Sequence, residues 1–172
     1  MKKTNVIPLL FLILVVSLAG CSGSNDKSIQ KEVRQELKVD ISAGTVVTEE
    51  DSHGGFHGDG LSYVVVQFDD DSFETSISGA EAWKSFPLDV TTEALVYGYE
   101  FGDGKCGPYL TDEEGNALIP QVESGYYWMK DRQVDDDGKA TGADLLHRAS
   151  LNFTVAIYDS DCRVLYYCKM DT

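Results

Sequence analysis

Phe153-Thr154-Val155-Ala156-Ile157-Tyr158, a polar Asp159-Ser160-Asp161, and then the run from Val164 to Met170 form the stretch from which the fold is read. Both arms are rich in β-branched and aromatic residues. Both alternate well enough to send successive side chains to opposite faces of a sheet. The pattern predicts a β-hairpin over 152–170, and an antiparallel hairpin needs further strands before it can bury a face.

Working outward, Gly125 to Arg132 is aromatic-rich and β-like, and Tyr63-Val64-Val65-Val66-Gln67-Phe68 is a strong β-segment ended by Asp69-Asp70-Asp71. Val46 and Val47 mark a brief strand, and Glu93 to Phe101 reads as another. Helical spacing appears at Ile29, Val33 and Leu37, with Ser28 as the cap, which predicts a helix over 28–38. Phe73, Ile77 and Ala80 repeat the spacing up to Trp83, with Asp71 and Glu74 in capping-box positions; Gly79 weakens this helix and Pro87 ends it. Thr141 and Asp144 open a third helix carrying Leu145, Leu146 and Ala149. Gly102-Asp103-Gly104, Gly107-Pro108 and Glu114-Gly115-Asn116 punctuate loops. No internal repeat or interdomain linker interrupts the pattern. The expectation is a single α+β domain over 28–172, a mostly antiparallel sheet with about three short helices and a C-terminal hairpin.

A chain of 172 residues is long enough for one hydrophobic core, and its formal charge of −15 repels phosphate backbones, which argues against nucleic-acid binding. Lys2 and Lys3 followed by the apolar run Val6 to Ala19 read as a secretory signal, since fourteen residues fall short of the roughly 20 that span a bilayer. The run ends in Leu18-Ala19-Gly20-Cys21, which resembles the lipobox of bacterial lipoprotein signal peptides. That resemblance implies cleavage after residue 20 and attachment of diacylglycerol to Cys21, with palmitate-like acyl chains that anchor the mature chain on the extracytoplasmic side of the cell membrane. Residues 21–27 would then be a lipidated Cys and a flexible polar tether.

Three cysteines follow: Cys106, Cys162 and Cys168. The last two flank one strand of the expected hairpin, about 20 Å apart at 3.3 Å per residue, which is beyond disulfide reach. Buried free thiols are the expectation for all three.

Asp51-Ser52-His53-Gly54-Gly55-Phe56-His57-Gly58-Asp59-Gly60 is the most unusual segment for chemistry. His53 and His57 with Asp51 and Asp59 are suitable ligands for Zn²⁺ or another divalent metal. The glycines, however, exclude the helical face on which zinc-protease histidines converge, and a Gly-rich turn with capping histidines is the competing reading. Gln133 to Asp144 has a faint calcium-loop register, but Gln133 stands where an acid belongs and Asp144 where a bidentate Glu belongs. Gly102 to Cys106 fails as a phosphate loop, because Tyr99 and Cys106 replace the required Gly and Ser or Thr. His147, beside Leu145 and Leu146, reads as a half-buried structural residue.

Tyrosine pairs Tyr126/Tyr127 and Tyr166/Tyr167 cannot all enter one core, because neighbours in a strand point to opposite faces. Tyr126, Trp128 and Tyr166 are therefore the candidate ligand-binding residues, as an exposed platform for a glycan or a protein partner. The competing reading is a sheet with helices packed on both faces.

Asp51 to Gly60, Trp83-Lys84-Ser85-Phe86-Pro87-Leu88, Asn152 to Asp159 and Leu165-Tyr166-Tyr167-Cys168 together resemble a family of small proteins of Gram-positive gut bacteria with no assigned activity. The resemblance implies one domain on a surface lipoprotein and carries over no catalytic residue. With no recognisable catalytic set, the reading favours a non-enzymatic surface-anchored module for a protein or cell-envelope glycan. A metal-dependent hydrolase using the His53/His57 loop is the alternative.

Overall fold

In the computed structural model, described over residues 25–54, 58–133 and 145–172, three α-helices and eight strands follow one another along the chain. They are α1 (Asn25–Leu37), β1 (Thr45–Asp51), β2 (Gly60–Gln67), α2 (Ser72–Ile77), β3 (Lys84–Ser85), α3 (Val90–Val96), β4 (Tyr99–Phe101), β5 (Gly104–Cys106), β6 (Gly125–Asp131), β7 (Phe153–Asp159) and β8 (Val164–Asp171), with a 3₁₀ turn at Leu145–His147. Six strands make one antiparallel sheet in the order β1-β2-β8-β7-β6-β3, and β4 and β5 form a separate hairpin. The protein is an α+β domain with a C-terminal β-hairpin. Among the described residues no helix is long and apolar enough to cross a membrane.

The hairpin 152–170 pairs as expected, Phe153 opposite Met170 and Asp159 opposite Val164. Its first arm is buried at six consecutive positions, Phe153 to Tyr158, which requires cover on both faces. One face carries Ala156, Tyr158, Leu165 and Tyr167 against Val33 and Leu37 of α1, Phe73 and Ile77 of α2, and the two tryptophans. The other carries Phe153, Val155, Ile157 and Cys168 against Leu95 and Val96 of α3 and against Leu110, Ile119 and Val122 from the excursion between β5 and β6. Phe68, Phe73 and Tyr158 meet ring to ring, Phe68 stacked on Phe73 at 4.5 Å between centroids and Phe73 tilted on Tyr158 at 5.1 Å.

Several local expectations change. Residues 93–101 are not one strand: Asp89 accepts a hydrogen bond from Thr92 N at 2.8 Å and caps α3, which overrides the β-branched Val90-Thr91-Thr92. Gly98, at φ +83°, ends the helix with its N–H donating to Glu93 O, and the chain turns into β4. Helix α1 starts at Asn25, so the last three residues of the expected tether are helical. Helix α2 stops at Ile77, short of Trp83, and the Asp71 side chain makes no cap bond; it pairs with Arg163 Nε at 2.5 Å instead. Of the expected third helix only the 3₁₀ turn is seen, and its openers Thr141 and Asp144 lie outside the described residues, as does the calcium-loop register beyond Gln133. His147 is exposed rather than half-buried. All three cysteines are free, but only Cys168 is buried; Cys106 is partly covered and Cys162 sits exposed in the hairpin turn.

Burial decides which substitutions cost most. Leu165→Ala, at a fully buried position, is expected to lower unfolding free energy by about 2–5 kcal/mol. Tyr167→Phe is expected to be neutral or stabilising by about 1 kcal/mol, because its buried hydroxyl has no hydrogen-bond partner among the described residues. Urea denaturation of the two variants checks both.

Candidate functional site

The Gly-rich stretch runs from the end of β1 to the start of β2, where the register sets Asp51 opposite Ser62 and Gly60 opposite Asp171. His53, its side chain 20% exposed, stands between two carboxylates: Nδ1 is 2.6 Å from Asp51 Oδ1 and Nε2 is 3.1 Å from Asp171 Oδ2. Ser62 Oγ donates to Asp51 Oδ1 at 3.2 Å and lies at the same distance from His53 Nδ1. Asp171 Oδ1 is 2.8 Å from Arg132, whose Nη2 donates to Met170 O at 2.6 Å and to Phe153 O at 3.3 Å. Gly60 makes the fold-back possible, since a Cβ there would lie 2.5 Å from His53 Cα. The ends of β1, β2, β6 and β8 are tied together at one corner of the sheet.

That knot constrains the chemistry. Each ring nitrogen of His53 faces a carboxylate oxygen, so a metal gains a nitrogen only by displacing a carboxylate from it. His57 lies outside the described residues, and Asp59 is exposed. Among the described residues no group of three His, Cys, Asp or Glu side chains is arranged to hold a metal. The set Ser62, His53 and Asp171 imitates a nucleophilic triad only in composition. Asp51 is closer to Nδ1 than Ser62 is, so the nitrogen that would take the serine proton is already engaged, and Ser62 is 6% exposed.

The knot holds both acids below the ordinary carboxylate range. For Asp51 the His53 hydrogen bond is the main cause and outweighs partial burial. For Asp171 burial pushes upward, but the Arg132 hydrogen bond and charge, with His53, more than offset it.

The aromatic candidates do not share a face. Tyr126 and Trp128 are on the α1 side, Tyr126 half-buried and Trp128 only 8% exposed, whereas Tyr166 lines up with Ile157 and Tyr127 on the other side. The sheet has helices on both faces, so Trp128 is core and Tyr126 and Tyr166 are half-buried.

On the α3 side lies a cleft of about 380 Å³ lined by Phe86, Pro87, Leu88, Tyr97 and Val122, with Gln121 and the carboxylates of Glu93 and Glu123. Its walls are firmly held. Tyr97 donates its hydroxyl hydrogen to Pro120 O at 2.8 Å and accepts from Val122 N at 3.1 Å, pinning segment 120–122 against the end of α3. Phe86 N donates to Gly125 O, and its ring meets Tyr127 edge-on at 6.2 Å. Tyr127 hydrogen-bonds Asp89, which also binds Lys84 at 3.0 Å. Sequence reading missed these residues because they come from three segments that only the tertiary fold assembles; the capping Asp89 was the one local sign of α3. No family model, no curated protein and no solved structure matches the chain.

The knot has measurable consequences. Asp51 and Asp171 bind protons more weakly folded than unfolded, so their stabilisation is complete above the unfolded value near 3.9 and is lost as pH falls through their lower folded values. Arg132→Ala is expected to cost about 1–3 kcal/mol at neutral pH. It should also flatten the acid limb of a urea-midpoint-versus-pH curve. Zn²⁺ added to the chelator-treated protein is expected to leave the melting temperature unchanged; a rise abolished by His53→Ala would support the metal reading.

Proposed function

We propose that the protein is a lipid-anchored surface protein, held at the cell membrane through Cys21 on the extracytoplasmic side, whose domain binds a partner protein without catalysing a reaction. The Phe86–Tyr97 cleft carries this reading. It is concave, walled by apolar side chains whose backbone is held by hydrogen bonds to the Tyr97 hydroxyl and to Gly125 O, and rimmed by two carboxylates. Such a site suits an extended polypeptide segment that inserts one apolar side chain and sets Lys or Arg against Glu93 and Glu123. A preorganised wall loses little entropy on binding. The charge of −15 on the whole chain favours the same cationic partner through long-range attraction. An envelope glycan would be favoured by an aromatic platform, and the candidate rings Tyr126, Trp128 and Tyr166 are divided between two faces.

Selection from a random peptide display library tests the binding half. Peptides pairing an apolar anchor with Lys or Arg are expected, and the double variant Glu93→Gln/Glu123→Gln is expected to lose their basic preference and about tenfold in affinity. Selection of acidic peptides, or identical binding by the double variant, overturns the reading. Labelling of cells with a palmitate analogue tests the anchor: the label should enter the wild-type chain and be absent from Cys21→Ala.

A further inference from the structure

We infer that the outer face of α1 is a membrane-contact surface, and that it docks the domain flat on an anionic lipid headgroup layer. The inference rests on the proposed Cys21 anchor for proximity, but its charge argument comes from the helix alone. Lys31 and Arg34 of α1 are exposed and three residues apart, and the exposed Lys38, just past the helix end at φ +55°, borders the same shallow surface hollow, so the three cations form one stripe. The opposite stripe, Val33 and Leu37, is buried in the core.

Two acids of the helix, Glu32 and Glu36, are spent elsewhere. Glu32 binds Lys169 on β8 at 3.0 Å, and Glu36 binds Lys130 on β6 at 2.9 Å. Both glutamates are therefore neutralised at the sheet, and the outward stripe is left cationic on a chain of net charge −15. The exception is Asp40, 3.9 Å from Arg34, an exposed pair of little strength. Lys31, Arg34 and Lys38, three of the chain's fourteen cations, thus stand together on or just past the element nearest the proposed anchor.

Geometry favours a membrane over a soluble polyanion. Residues 21 to 25 can span at most about 14 Å, so an acylated Cys21 keeps the helix start within that distance of the bilayer surface. Charges on a surface helix act over about a Debye length, near 8 Å at physiological salt, so only a tethered helix experiences the lipid field continuously. The acidic remainder of the domain is repelled by the same field, which turns the α1 stripe down and the opposite, α3 side of the sheet outward. The cleft on that side would then face away from the bilayer.

Full-length protein, processed in its host and reconstituted into vesicles, provides the test. The readout is amine labelling of Lys31 and Lys38, with Lys105 on the β4–β5 hairpin as the exposed reference. In phosphatidylcholine mixed with phosphatidylglycerol, Lys31 and Lys38 should label more slowly than in phosphatidylcholine alone. High salt should abolish the difference. Each stripe charge removed should weaken protection roughly fivefold. Lys31→Glu/Arg34→Glu should deprotect Lys38 while the chain still floats with the vesicles.

Flotation that survives high salt and depends on Cys21 reports the anchor separately. If the chain floats but lysine labelling ignores lipid charge, the docking inference fails and the anchor stands. If the chain does not float at high salt, the anchor fails. Low-salt flotation on the same anionic vesicles then decides the stripe: binding lost in the charge-reversed variant supports it, and no binding overturns it. Equal protection by soluble polyphosphate in the absence of vesicles also overturns it.

Discussion

Strand β7 is buried along nearly its whole length between two layers, and the elements packed on its two faces are placed by the need to cover it. A strand with only one covered face tolerates alternation with polar residues, but Phe153 to Tyr158 offers side chains that water would reject from either face. Helices α1 and α2 answer on one side, and α3 with the segment ending at Val122 answers on the other. Cover on both sides also explains the tyrosines. Tyr158 and Tyr167 are wholly buried, and burial pushes the Tyr158 hydroxyl up to about 12.

The same arrangement separates polar functions toward the margins of the sheet. At the corner where β1, β2, β6 and β8 end, backbone groups lose their strand neighbours, and Asp51, His53, Ser62, Arg132 and Asp171 take over by bonding one another and nearby carbonyls. Partners of this kind stabilise by avoiding the cost of leaving any one member alone. At the opposite face, β3 and the start of α3 leave a concave surface whose walls are likewise tied by hydrogen bonds. The recess they leave is rimmed by the carboxylates of Glu93 and Glu123.

Charge is distributed with comparable economy. Glu32 and Glu36 of α1 pair with lysines on the sheet, and those ion pairs help hold the helix in register over the core while Lys31 and Arg34 stay outside. Individually such partly exposed pairs are weak. Their consequence is orientation: they decide which side of the helix meets solvent with which sign.

The sequence by itself determined the class of fold, the C-terminal hairpin and the strand around Tyr63–Phe68, because period-two alternation and turn residues are local properties of the chain. It also marked Asp51 and His53 as unusual, through glycine and histidine density alone. Only the tertiary structure decided what they do: Ser62 and Asp171 reach His53 through strand register, with Arg132 bonded to Asp171 behind it, a relation between positions up to 118 residues apart that no local pattern encodes. It also decided that 90–96 is a helix, where the Asp89 cap and packing on the sheet overrule β propensity. And it divided Tyr126 and Trp128 from Tyr166, since which face of a strand meets solvent depends on whether another layer covers it, and that layer is contributed from elsewhere in the chain.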